Sequence, residues 1–270
     1  MGPTLGSRRT YIAKPMSSRR PAGVTLSVVM PAYNEEASIG AAIQEVVDSC
    51  LDAVPGSELV VVDDGSRDAT ARIVAEIAGR DPRVRLLSQR NGGHGAAVVA
   101  GISEAAGAWL FLVDSDQQIP LDGFAAAWNR RERLDAVLGR RVQRKESAVR
   151  RVVTTSLRGL IRLLLGAPLR DANAPYKLLR RSVWEDCRRF IAADCLIPSV
   201  FLAVCIHRHG WRYETVPVAH RPRAGGEGSL PGLKLARFCA RAAVQLLALS
   251  ARLAVIRAKL PEPEPVAEVS

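Results

Sequence analysis

The chain has 270 residues, of which 48% are hydrophobic, with 38 Lys+Arg against 27 Asp+Glu and a formal net charge of +11. These proportions bury a sizeable core and exclude a disordered, collagen-like or disulfide-stapled chain, while the length allows one large or two small domains. The cysteines (Cys50, Cys187, Cys195, Cys205, Cys239) are scattered too widely for a C-x-x-C metal or redox motif and fit a reducing compartment.

Residues 1–23 carry five basic groups among Gly, Pro and Ser and no sustained apolar run, which predicts a disordered basic arm without a secretory signal. From Leu26 the pattern alternates. Leu26–Met30 is a predicted strand, followed by a turn over Pro31–Asn34 and a helix from about Ala37 to Ser49. Leu59–Val62 is the second strand, Asp68–Ala78 a helix, Val84–Leu87 the third strand, Gly93–Ala106 a helix, and Trp109–Val113 the fourth strand. Strands separated by helices of this length predict βαβ units: an α/β fold with a mainly parallel sheet flanked by helices and a Rossmann-like N-terminal half. Beyond residue 120 the pattern loosens. It gives a helix near Asp122–Arg133, a strand near Ala136–Leu138, a basic helical stretch near Ser147–Leu165, a helix around Ala192–Arg208 and a strand near Trp211–Val218. Pro222–Pro231 is glycine-rich and is expected to be a mobile loop, and Pro261–Ser270 a disordered tail. The predicted organisation is therefore an arm (1–23), an α/β domain (24–230, regular over 24–120 and looser over 121–230), a helix (231–260) and a tail (261–270).

That last helix, Leu233–Ile256, is amphipathic. Leu235, Phe238, Cys239, Ala242, Leu246, Leu249, Leu253 and Ile256 recur at threes and fours, with Lys234, Arg241, Gln245, Arg252 and Lys259 opposite. Its longest charge-free stretch is too short to span a bilayer. Pattern alone leaves two readings, a helix lying in an anionic membrane interface and a helix packed on the domain.

Charge divides unevenly along the chain. Residues 24–127 carry 6 basic and 15 acidic groups, whereas 128–170 carry 12 against 3, and 230–260 carry 6 against none. A uniform nucleic-acid binder has no need of an acidic half, so no nucleic-acid partner is expected. An acidic lobe that holds a divalent cation, beside basic segments facing anionic lipid, accounts for the split.

Polar residues cluster where the predicted strands end, which is where an open α/β sheet places its ligand crevice. Asp114-Ser115-Asp116-Gln117-Gln118 follows the fourth strand. Two carboxylates at i and i+2 supply hard oxygen ligands to Mg²⁺ or Mn²⁺, with the Gln118 amide as a further donor. Asp63-Asp64-Gly65-Ser66 follows the second strand. There Asp64 can accept hydrogen bonds from a nucleobase or ribose, while Asp68 can cap the next helix. After the first strand, Tyr33 could flank a nucleoside and Glu35 opens a helix. His94, in a glycine-rich turn, suits a surface or nucleotide-proximal position better than a catalytic one.

In this order and spacing, PAYNE, VVDDGSRDAT, NGGHGAA with GISEAAG, and DSDQQIP resemble an inverting family 2 glycosyltransferase of GT-A fold. The D-x-D-x-Q pattern, with no Q-x-x-R-W motif, is closest to the dolichyl- or polyprenyl-phosphate sugar synthases. The resemblance implies nucleotide-sugar contacts at Pro31, Tyr33, Glu35, Val62 and Asp64, and diphosphate and metal contacts at Asp114, Ser115, Asp116 and Gln118. It implies Mg²⁺ or Mn²⁺ on Asp114, Asp116 and Gln118. Arg141 matches an arginine placed for phosphate. Asp171 matches the acidic residue before the family's G-F-R/K, although the sequence here is DANAPYK. Arg221 and Arg223 resemble the family's R-x-x-G-x-S loop without its following lysine. Catalysis would rest on Asp116, Arg141 and Asp171, and the basic run Arg150, Arg151, Arg158 and Arg162 would help to hold an acceptor phosphate. The implied substrates are a nucleotide-sugar donor and a polyprenyl phosphate acceptor. The implied location is the cytosolic face of an anionic membrane surface, with room for a membrane-anchored partner subunit, and it tips the C-terminal helix towards the membrane. The alternatives are a hydroxyl acceptor, for which Asp171 is the candidate base, and a basic membrane-binding module without catalysis.

Overall fold

The computed structural model describes residues 23–142, 171–221 and 232–257, with isolated positions between 155 and 169. The arm, the tail, most of the basic stretch 147–165 and the glycine-rich loop fall outside the described residues. Strands β1 (Leu26–Ala32), β2 (Ser57–Asp63), β3 (Val84–Ser88), β4 (Trp109–Leu112), β5 (Ala136–Arg141), β6 (Lys177–Arg180) and β7 (Tyr213–Val218) form one sheet in the order β3-β2-β1-β4-β6-β5-β7. All pairings are parallel except those of β6, which runs against β4 and β5. β1 and β2 are buried at every position, as expected of central parallel strands covered on both faces.

Side chains alternate between the two faces. Val28 and Met30 point to a layer containing helices α1 (Ile39–Val46), α2 (Thr70–Ala78) and α4 (Phe124–Asn129). Val29, Leu110 and Leu112 point to the other, containing α3 (His94–Glu104), α5 (Arg181–Cys187), α6 (Pro198–Arg208) and α7 (Gly232–Arg257). Helix α3 lies close against the sheet because Gly101 has no side chain: a Cβ there would sit 2.5 Å from Val29 Cγ1 and 2.8 Å from Val62 Cγ2.

Several boundaries differ from the sequence reading. Helix α1 ends early in a π-helical turn over Val47–Leu51. Helix α6 begins at Pro198, at the start of the helix, where the missing N–H costs nothing. Strand β6 and helix α5 were not anticipated, because KLLR is only four residues long and begins with a lysine.

Helix α7 corrects the membrane reading of its apolar face. Ala242, Leu246 and Leu249 belong to the domain core, and Phe238 packs against it. Gln245, expected on the opposite side, accepts a bond from Leu196 N at 2.9 Å and donates to Asp194 O at 3.4 Å. The face the pattern picked out is therefore used in packing and cannot also enter a bilayer. Leu246 is fully buried, so Leu246→Ala is expected to cost about 2–5 kcal/mol of stability. A urea midpoint equal to wild type would show that α7 is not part of the cooperative core.

Candidate active site

The carboxyl ends of β1 and β2 carry two loops joined backbone to side chain. Asn34 adopts a left-handed conformation (φ 52°), donates its N–H to Ser66 Oγ and accepts from Arg67 N at 2.8 Å. Glu35 N donates to Thr70 Oγ1, Glu36 N to Asp68 Oδ2 and Ala69 N to Glu36 Oε2. Asp68 also accepts from Thr70 N and Thr70 Oγ1; it stands one residue ahead of the N-cap, Ala69, so it braces the entry to α2 instead of capping it as expected. This seam presents Tyr33, 43% exposed, at the crevice.

Other nucleotide contacts expected from the motifs are turned inward. Pro31 and Val62 are register partners within the sheet and both are buried, Val62 completely, beneath Ala97 of α3. Val62 therefore shapes the floor without side-chain surface for a ligand. Glu35 is largely buried and accepts from Ser38 Oγ at 2.8 Å. The Asp64 carboxylate, 2% exposed, accepts from Gln89 Nε2, Gly92 N and Gly93 N at 2.7–2.8 Å. Most of its acceptor capacity is thus spent on fixing the glycine turn that leads into α3.

The loop after β4 holds the acidic pair. Asp116 Oδ1 accepts from Gln118 N at 3.1 Å, and Gln117 is left-handed (φ 53°). Ser115 is buried. Glu45 of α1, unforeseen in the sequence, clamps this loop from both ends, accepting from Gln117 Nε2 at 3.3 Å and from Leu121 N at 3.1 Å. A non-glycine residue in this conformation costs on the order of 1 kcal/mol, and persists where its surroundings over-determine it. Glu45→Ala is expected to raise the Mn²⁺ concentration needed for nucleotide binding about tenfold, since groups that orient metal ligands carry effects of that size. Calorimetric titration of nucleoside diphosphates at graded Mn²⁺ measures it, and an unchanged requirement would remove Glu45 from the site.

Burial, with the neighbouring Asp116 charge adding to it, raises the Asp114 carboxyl above its ordinary range, while His94 (Nε2 3.8 Å away), Arg141 and Lys177 act the other way. A cation beside Asp114 would offset both its burial and the neighbouring negative charge. Among the described residues no three His, Cys, Asp or Glu side chains are grouped to hold a metal. The carboxylates of Asp114 and Asp116 fit Mg²⁺ or Mn²⁺, which take one or two carboxylates and complete their shell with substrate phosphates and water. Gln118 meets the segment that follows β7: its carbonyl accepts from Arg221 N at 2.8 Å and its Nε2 donates to Arg221 O at 3.4 Å, leaving the amide oxygen available as the expected third donor. Arg221 is thereby held beside the acidic loop. Arg223 lies outside the described residues, as do Arg150, Arg151 and Arg158.

Near Asp114, which lines a small cavity with Asp116, Pro175 and Tyr176, stands a buried ionic group whose charges act on it. Arg141, at the end of β5, donates to Asp171 through its backbone N (3.0 Å), Nε (2.9 Å) and Nη2 (2.8 Å). The pair is only 11% and 7% exposed. Burial opposes ionisation of Asp171, yet the Arg141 bonds and charge, with Lys177 beyond, hold its carboxyl below the usual range. Lys177, which the sequence reading passed over, lies beside Leu112 of β4 and Leu138 of β5 and donates to Ala174 O. Burial lowers its pKa to about 7, against the opposing pull of Asp171 and Asp114. The one available signal was a basic residue inside an apolar run, at the R/K position of the family's G-F-R/K.

A mainly parallel sheet with an acidic pair at the end of β4 and polar loops at the ends of β1 and β2 is the layout of a glycosyltransferase of the GT-A type. The chain belongs to glycosyl transferase family 2, whose family model matches residues 27–188. It is 30% identical over 213 residues to the undecaprenyl-phosphate 4-deoxy-4-formamido-L-arabinose transferase of Pseudomonas aeruginosa, covering 78% of this chain and 61% of that protein. The Proteus mirabilis protein of the same name is 28% identical, with 78% and 64% covered. The chain thus spans a little over three fifths of these relatives' length. Among solved structures, glucosyl-3-phosphoglycerate synthase from Mycobacterium tuberculosis with Mn²⁺, UDP-glucose and phosphoglyceric acid superposes with a TM-score of 0.62 at 21% identity, covering 85% of this chain and 81% of that one. The same protein with Mg²⁺ and UDP gives 0.61. At this identity the likeness establishes the fold.

Proposed function

We propose that the chain transfers a sugar from a nucleotide-sugar donor to the phosphate of a polyprenyl lipid, with inversion and with the help of Mg²⁺ or Mn²⁺. The observation that carries the choice of acceptor is the state of Asp171. A hydroxyl acceptor requires a base whose pKa lies near the working pH, but Asp171 is held ionised, weakly basic and bound three times by Arg141. A lipid phosphate is already anionic and needs no base. The names of the relatives, which place their acceptor as undecaprenyl phosphate, support the same reading.

Tyr33 flanks the nucleoside, while the Asp64-pinned glycine turn shapes the wall beside it. Asp114 and Asp116, with Gln118, hold the cation, whose chemistry is to neutralise the diphosphate as it leaves. Arg221, beside Gln118, adds positive charge on that side. Arg141, aimed by Asp171 and backed by Lys177, faces the incoming phosphate and sets it in line with the anomeric carbon. The enzyme would work peripherally at the cytosolic face of an anionic membrane, alone or with a membrane-anchored partner. Among the described residues no helix is long and apolar enough to cross a bilayer.

The test offers several nucleotide sugars with Mn²⁺ to polyprenyl phosphate and to sugar-hydroxyl acceptors in parallel. Transfer to the lipid phosphate is expected; transfer confined to hydroxyls would reject the acceptor. No thermal stabilisation by any nucleoside diphosphate with Mn²⁺ would leave a basic binding module without catalysis.

A further inference from the structure

With one face of α7 spent on the core, its outward face remains. Ala240, Val244, Leu247 and Ala251, spaced by four, three and four, form one exposed apolar stripe along it. Val244 is 65% exposed and Leu247 52%, two of only four large hydrophobic side chains classed as exposed among the described residues. Arg237, Arg241 and Arg252 are exposed along the edge of this stripe. No acidic residue occurs anywhere in residues 230–260 to neutralise them.

We infer that this outward face is a docking surface for an anionic phospholipid bilayer, with Val244 and Leu247 entering the headgroup–acyl boundary and Arg237, Arg241 and Arg252 meeting lipid phosphates. It is a different face from the one that hydrophobic periodicity picks out. Charge selects the occupant: an apolar stripe edged by arginines, on a helix without acidic residues of its own, matches anionic lipid, whereas a second copy of the same face would set arginine against arginine.

The position of the helix fits this use. Gln245, on the inner side of α7, is bonded to the 194–196 segment. That segment presses on the first turn of α3, where a Cβ on Gly95 would come within 1.9 Å of Cys195 O. The neighbouring residue, His94, stands 3.8 Å from Asp114. The helix is thus tied through one loop to the catalytic end of the sheet, so a bilayer held under α7 would keep a lipid-borne phosphate near that end. This last step rests on the polyprenyl-phosphate reading; the membrane contact does not.

The test is vesicle flotation of the full-length protein without nucleotide sugar, on phosphatidylcholine alone and on phosphatidylcholine mixed with phosphatidylglycerol. Wild type is expected to float with the anionic vesicles only, and less as salt is raised. Each arginine near such a surface contributes about a fivefold factor, so the triple variant Arg237→Glu, Arg241→Glu, Arg252→Glu should bind at least about a hundredfold more weakly. Val244→Ser with Leu247→Ser should weaken binding without changing the salt dependence. All five side chains are exposed, and an unchanged melting temperature with Mn²⁺ and UDP confirms that the variants fold. Wild-type-like flotation of the triple variant would overturn the inference, as would a dimer in sedimentation equilibrium that these substitutions dissolve. Loss of flotation alongside continued transfer to polyprenyl phosphate in detergent leaves the proposed reaction standing, whereas flotation without any transfer removes that reaction and keeps the membrane surface.

Discussion

Asp116→Ala is expected to reduce sugar transfer by about a thousandfold or more while leaving the protein folded. The Asp116 carboxylate has no arginine or lysine partner among the described ion pairs, and its one described hydrogen bond comes from the backbone N–H of Gln118, within its own turn. Little structure depends on it. Its removal also relieves Asp114 of a like charge that pushes its carboxyl towards the protonated form, so the melting temperature without ligands should hold or rise slightly. Chemistry should suffer instead, because Asp114 and Asp116 would together hold the proposed cation, which would supply positive charge to the leaving diphosphate, and one of those two carboxylates is lost. Charge stabilisation of that kind is worth several kcal/mol, and each 1.36 kcal/mol is about tenfold in rate. Two measurements separate the effects: initial rates at saturating donor, and the thermal shift caused by UDP with Mn²⁺. Both should collapse together. Transfer within a few fold of wild type would mean that the cation, if used, is held elsewhere.

The parts of this site that the sequence disclosed are those built from local pattern. The runs LSVVM, LVVV and WLFLV could only be buried strands, and a carboxylate pair directly after the last of them stood where an α/β sheet opens its crevice. What stayed hidden depends on contacts across the fold. Strand β6 is a four-residue segment beginning with a buried lysine, and it makes sense only once Asp171 and Asp114 are placed beside Lys177. The hold of Glu45 on Gln117 joins residues 72 positions apart. Asp64 carries the chemistry expected of a base-reading carboxylate, but which donors it meets is decided by the turn at Gly92 and Gly93, not by its own motif. Periodicity found both faces of α7 without saying which would be covered, because a packed apolar face and a membrane-bound one obey the same spacing rule.

Asp171→Asn should be the most destabilising of the conservative polar substitutions, and it separates two roles for this residue. In the wild type the carboxylate takes all three of its described bonds from Arg141 in a nearly closed setting. An amide cannot accept the Nε and Nη2 bonds together, so it leaves a buried guanidinium without its counter-charge, at a cost of about 3–5 kcal/mol. The pH dependence carries the sign of a depressed carboxyl. The stability that the pair contributes is fully present above the unfolded pKa of about 3.9 and is lost as pH falls through the lower folded value. The gap between wild type and Asp171→Asn in urea melts should therefore be constant near neutrality and narrow below about pH 4. A gap that persisted unchanged to pH 2 would show that the carboxylate is not held ionised by Arg141. Kinetics then distinguish positioning from proton transfer. If Asp171 acts by aiming Arg141, Asp171→Asn and Arg141→Ala should resemble one another, each raising KM for the lipid phosphate, and the double variant should be little worse than either, because residues acting as a unit are not additive. If Asp171 were instead the base for a hydroxyl acceptor, Asp171→Asn would abolish kcat while Arg141→Ala retained it. The geometry favours the first outcome, since a carboxylate bound three times by an arginine offers little lone-pair capacity to an incoming proton.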